Sequence, residues 1–106
     1  MAELRKYGST DPIYFVLLDP TTGDLMDSAT FAAGDWRTMK DGGTWANVTN
    51  LPVDEGEGWY SWTPVAAEME GKVIVLKGWD LTSPQDWAHN SKEIHTGGHA
   101  SALWNG

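Results

Sequence analysis

Seven tryptophans, Trp36, Trp45, Trp59, Trp62, Trp79, Trp87 and Trp104, stand in a chain of 106 residues. An indole is a large, rigid apolar body with one polar N–H. It can fill a core, anchor a protein interface or stack against a sugar ring. Seven dispersed indoles exceed what one small core can hold, so some must sit at edges or on the surface. Burial tendencies place Trp36, Trp62 and Trp79 inside. Trp87, in a loop, and Trp104, near the end of the chain, are candidate partner contacts. Trp45 and Trp59 are candidate stacking surfaces for a glycan.

The other reactive side chains form weaker patterns. His89, His95 and His99 are six and four residues apart, with Gly97-Gly98 between the last two, a spacing that fixes no coordination geometry. Asp54-Glu55-Gly56-Glu57 offers carboxylate oxygens but lacks the alternating ligands of a dedicated calcium loop. Paired carboxylates could in principle cleave glycosides, yet no serine elbow, phosphate-cradling glycine loop or His-Glu helix motif accompanies them. The expectation is a non-enzymatic protein with no catalytic residues, no metal ligands and no cofactor.

Composition narrows the partners. Seven basic and fifteen acidic residues leave a net charge of −8, without the basic footprint that nucleic-acid binding needs. There is no cysteine, hence no disulfide framework and no thiolate metal site. No apolar run approaches the roughly twenty residues that span a bilayer, and the first residues contain no signal-peptide core. Synthesis in a cytoplasm, with neither nucleic acid nor membrane as partner, is the expectation.

Among the elements that must hold these side chains, β signals dominate. Residues 12–18 form a branched and aromatic run closed by Asp19-Pro20. Asp41-Gly42 between residues 35–40 and 44–47 marks a hairpin, because the turn needs positive φ at its centre. Residues 48–53, the acidic turn 54–58 and the strand 59–63 follow, with Tyr60 and Trp62 on the inward face. Residues 64–70 carry the one helical signal, with Thr63 as cap and Pro64 in the first turn, and are too short to be more than a crossover. Residues 72–79 and a segment centred on 92–95 complete the strands. The reading is an all-β, immunoglobulin-like β-sandwich of about six to seven strands over residues 11–96. Residues 1–10 and 97–106 read as extended arms. Each arm has few core-forming residues but carries apolar anchors, Leu4 and Tyr7 in front and Leu103 and Trp104 behind, suited to docking on a neighbouring subunit.

The stretch from Lys40-Asp41-Gly42-Gly43-Thr44-Trp45-Ala46-Asn47, through Gly58-Trp59-Tyr60 and Thr63-Pro64-Val65-Ala66-Ala67-Glu68-Met69, to Val73-Ile74-Val75-Leu76 resembles a recurrent type of small immunoglobulin-like tailed-bacteriophage protein. The likeness covers roughly residues 12–98, and the tryptophan load and Leu103-Trp104 end depart from it. What the resemblance implies is a virion structural protein and not a catalyst. The leading expectation is a capsid decoration or cement protein bound to the major capsid protein lattice, and to sister copies as a homo-oligomer. Leu4, Tyr7, Trp87, Leu103 and Trp104 would be its contacts. A tail, collar or fibre-attachment adaptor is the alternative within that class. A carbohydrate-binding module using exposed tryptophan is the alternative outside it.

Overall fold

The structure, a computed structural model, describes residues 3–82 and 85–96. Among these residues eight strands form two facing sheets: β1 (Glu3–Leu4), β2 (Ile13–Val16), β3 (Trp36–Lys40), β4 (Ala46–Asn47), β5 (Val53–Gly56), β6 (Trp59–Trp62), β7 (Val73–Gly78) and β8 (Asn90–His95). One sheet runs β1-β8-β7-β3-β4 and the other β2-β6-β5. In immunoglobulin lettering β2, β6 and β5 take the places of B, E and D, while β8, β7, β3 and β4 take those of G, F, C and C′. All pairings are antiparallel except that of β1 with β8.

An antibody domain packs a tryptophan of strand C against a disulfide. Here Trp36 occupies that strand without any cysteine, and aromatic rings replace the bridge. Phe15 meets Trp36 at 4.9 Å, Trp87 stacks on Trp36 at 5.3 Å and 12°, and Phe31 stands edge-on to Trp36, Tyr60 and Trp87. The remaining space is filled by Ile13, Leu17, Trp62, Met69, Ile74, Leu76 and Ile94. Room for the Trp36 ring comes from Gly78, its cross-strand partner, where a Cβ would lie 2.5 Å from that ring. Glycine inside a strand marks such a close approach.

The Asp41-Gly42 hairpin forms as expected. Both residues have positive φ, 50° and 76°, and Gly43 N–H closes the turn on Lys40 C=O at 2.8 Å. The Asp41 carboxylate also accepts the N–H groups of Lys72 and Val73, both at 2.9 Å, so the hairpin tip anchors the start of β7. The crossover is a 3-10 turn, Ala66–Met69, and begins two residues later than the sequence suggested. Glu68, not Thr63, does the capping. Its carboxylate accepts Val65 N–H at 2.9 Å and Thr49 N–H at 3.0 Å.

Four expectations are corrected. Trp87 is not a partner contact: it is fully buried, its indole N–H donates to Thr30 C=O, and its ring stacks on Trp36. Trp79 is not a core residue, because strand alternation turns Gly78 inward and Trp79 out, leaving it 47% exposed. Within the N-terminal segment Glu3–Leu4 is a short edge strand, and the turn after it is tied to the sandwich, so the described part is not a free arm. The strand pairs with Ile94 and His95, and Gly8 N–H donates to Met69 C=O. The acidic stretch is mostly strand: β5 runs through Gly56, and the reversal falls at Glu57 and Gly58, both at positive φ.

Candidate binding surfaces

Two exposed faces and one loop cluster hold the polar and aromatic groups that the core leaves over. The outer face of the three-stranded sheet comes first. Along β2 Ile13 and Phe15 turn inward, which sends Tyr14 and Val16 out; along β6 Tyr60 and Trp62 turn inward, which sends Trp59 and Ser61 out. Tyr14, Val53 and Trp59 are about half exposed on this face, and Leu18 and Leu25 extend it at one end. Leu25 packs against Gly58, whose missing Cβ would lie 2.7 Å from it.

This face borders an incompletely paired edge. Leu17 N–H reaches Gly58 C=O, so alternation turns the peptide groups of Tyr14 and Val16 away from β6. Val16 C=O is taken by the Asn90 side-chain amide at 2.7 Å, and Leu18 C=O by Ala88 N–H at 2.7 Å. Beyond those clips the two sheets part. They leave a groove of about 360 Å³ lined by Tyr14, Phe15, Val16, Trp59 and the 90–92 stretch of β8. Tyr14 N–H and C=O have no partner there among the described residues.

The second surface is the outer face of the five-stranded sheet. Arg37 on β3 and Lys77 on β7 are direct cross-strand partners. The Lys77 ammonium lies 4.6 Å from the centre of the Trp45 ring. Trp79, two residues beyond Lys77 on the same side of β7, packs at 5.0 Å from His89. Gly34, Asp35, Arg37, Lys77, Trp79 and Leu81 enclose an open depression of about 290 Å³. Trp45 and Trp59 therefore belong to opposite faces of the sandwich and cannot form one platform.

The loop cluster carries two buried carboxylates that sequence reasoning passed over. Asp35 accepts the N–H groups of Ala32 at 2.9 Å and Leu81 at 3.3 Å. Asp80 accepts those of Thr82 at 2.9 Å and Asp86 at 2.7 Å. Burial alone would raise the Asp80 pKa. Hydrogen bonds from the Asp86, Thr82 and Trp87 N–H groups and the Thr82 hydroxyl outweigh it and hold the carboxyl below its ordinary range. Both side chains are spent on loop backbone, in a role that the Trp79-Asp80 and Gly34-Asp35 dipeptides alone do not signal.

Comparison with family models, with curated proteins and with solved structures gives no match.

Of the remaining expected contact residues, Leu4 is exposed on β1, and Tyr7 is half-buried in the turn that follows. Leu103 and Trp104 lie outside the described residues. Asp54 and Glu55 do not converge: Asp54 accepts Gly56 N–H at 2.7 Å, and Glu55 accepts the Ser61 hydroxyl at 2.6 Å. His95 is paired with Glu93 and His89 packs on Trp79, so these two histidines sit on different partners. Among the described residues no three His, Asp or Glu side chains gather as metal ligands.

Proposed function

We propose that this chain is a structural component of a tailed-bacteriophage particle, a decoration or cement protein attached to the major capsid protein lattice. The observation that carries the reading is the apolar outer face of the three-stranded sheet beside an unfilled strand edge. Tyr14, Val53, Trp59, Leu18 and Leu25 expose large apolar side chains on this face, around the Ser61–Glu55 pair, and exposed apolar groups gathered on one face mark an interaction site on a small domain. Tyr14 offers backbone groups to which an extended segment of a neighbour can add as a further strand. Each such contact is small. Repeated over a symmetric shell, many weak contacts add to firm attachment. A charge of −8 keeps an abundant surface protein soluble and away from packaged nucleic acid.

The test is reconstitution on purified shells that lack the protein. The wild-type chain should bind in copy number scaling with the shell lattice, and a Tyr14→Ser, Trp59→Ser variant should fold normally and bind far more weakly. Occupancy limited to one small ring at a vertex would point to the tail or collar adaptor instead. Undiminished binding of the folded variant would remove this face from the attachment mechanism.

A further inference from the structure

Arg37 and Lys77 present a liability that the fold does not need. They stand directly opposite each other on neighbouring strands, where like charges repel. The chain has fifteen carboxylates for seven cations, yet neither Arg37 nor Lys77 has an acidic partner among the described residues. The nearest carboxylate in the depression, that of Asp35, is buried and turned onto the backbone N–H groups of Ala32 and Leu81. Two exposed indoles bracket the pair. Trp45 precedes Ala46, which faces Thr38, while Trp79 N–H bonds to Asp35 C=O. The two tryptophans thus stand four β3 positions apart, about 13 Å along the strand.

We infer that this face is a binding site for an acidic oligosaccharide, a chain of sugar-acid units with one carboxylate per ring. The apolar faces of two sugar rings would lie against the parts of Trp45 and Trp79, 37% and 47% exposed, that Lys77 and His89 leave uncovered. A ring carboxylate between them would meet Arg37 and Lys77 and relieve their repulsion, with the guanidinium able to grip it through two N–H donors. The separation of the indoles calls for an oligosaccharide and not a single sugar. Charge argues against a nucleic-acid strand, which needs a continuous basic track. Here the track ends after two cations on a protein of charge −8. The inference does not depend on the particle-assembly reading, which rests on the opposite sheet.

The experiment is calorimetric titration of the full chain, with tryptophan fluorescence in parallel. The probes are oligogalacturonate, oligosialate, a neutral galactose oligomer, oligo-dT and a polyglutamate peptide. One of the two acidic sugars should bind, more tightly than the neutral oligomer and than either non-sugar polyanion. Its affinity should fall with added salt, and should drop by about tenfold or more in an Arg37→Gln, Lys77→Gln variant. That variant changes the exposed Arg37 and the half-buried Lys77, removes their repulsion together with the Lys77–Trp45 contact, and should melt close to wild type. Equal binding of the neutral oligomer, tighter binding of oligo-dT or polyglutamate, silence of both acidic sugars at millimolar concentration, or undiminished binding by the variant would each overturn the inference. Salt dependence of the wild type decides the role of charge even if the variant folds poorly.

Discussion

Gly78 and Tyr60 show how single atoms decide this core. A methyl group at position 78 would overlap the Trp36 ring, and both groups sit on facing strands with nowhere to retreat. Gly78→Ala should therefore lower stability by about 1–3 kcal/mol in chemical denaturation, despite the better strand propensity of alanine. The Tyr60 hydroxyl donates to Met26 C=O at 2.6 Å and accepts Ala29 N–H at 3.0 Å. Burial pushes this phenol above its ordinary pKa, partly countered by the Ala29 N–H and reinforced by the charges of Asp54 and Asp27. A raised pKa means that the neutral form is favoured in the folded state. Its contribution is complete below the unfolded value of about 10 and fades as pH climbs through the higher folded value. Tyr60→Phe should cost about 1–3 kcal/mol at neutral pH, because Met26 C=O and Ala29 N–H lose their partner, and should flatten the alkaline limb of the stability profile. Trp36 and Trp62 differ from Tyr60: their buried indole N–H groups have no acceptor among the described residues, so within that part of the chain these rings contribute through packing.

At the scale of elements, the loops between strands matter as much as the strands. The Asp80 loop folds Trp87 onto Trp36, and its carboxyl is held below the ordinary range by backbone N–H groups. For a depressed pKa the contribution is present above the unfolded value and is lost as pH falls through the folded one. Acid should thus loosen this loop below about pH 4. Asp80→Asn should cost about 1–3 kcal/mol at pH 7 and weaken the acid dependence, measured as denaturation midpoints across the acid range. The β3–β7 pairing supplies the opposite case. Arg37→Glu replaces a like-charge cross-strand pair with an attractive one and should raise stability by about 0.2–1 kcal/mol in a thermal melt. A substitution that strengthens the fold while abolishing ligand binding would mark Arg37 as kept for function.

For the whole molecule, the described core lies between Ile13 and Ile94. Removal of residues 97–106 should leave the cooperative unfolding transition in place, whereas attachment to a shell should weaken if Leu103 and Trp104 contribute anchors. Both effects are read from one truncated chain, by denaturation and by shell binding. The strongly negative net charge adds a global expectation: moderate salt should raise stability at neutral pH by screening self-repulsion, while weakening any contact made through Arg37 and Lys77.

Local chemistry made much of this architecture legible. Asp41-Gly42 signalled a hairpin, the length and flanking breakers of the 12–18 run favoured a buried strand, and the hydroxyls of Ser61 and Thr63 on the opposite face turned Tyr60 and Trp62 inward. Tryptophan was the residue that the chain order could not resolve, because an indole suits a core and an interface equally well and its side is set by what faces it. Trp87 was drawn in by a carboxylate folding its own loop, and Trp79 was turned out by the neighbouring glycine that yields to Trp36. The pairing of Arg37 with Lys77, forty residues apart, and their bracketing by Trp45 and Trp79 arise only from strand register, a long-range property that no local spacing encodes.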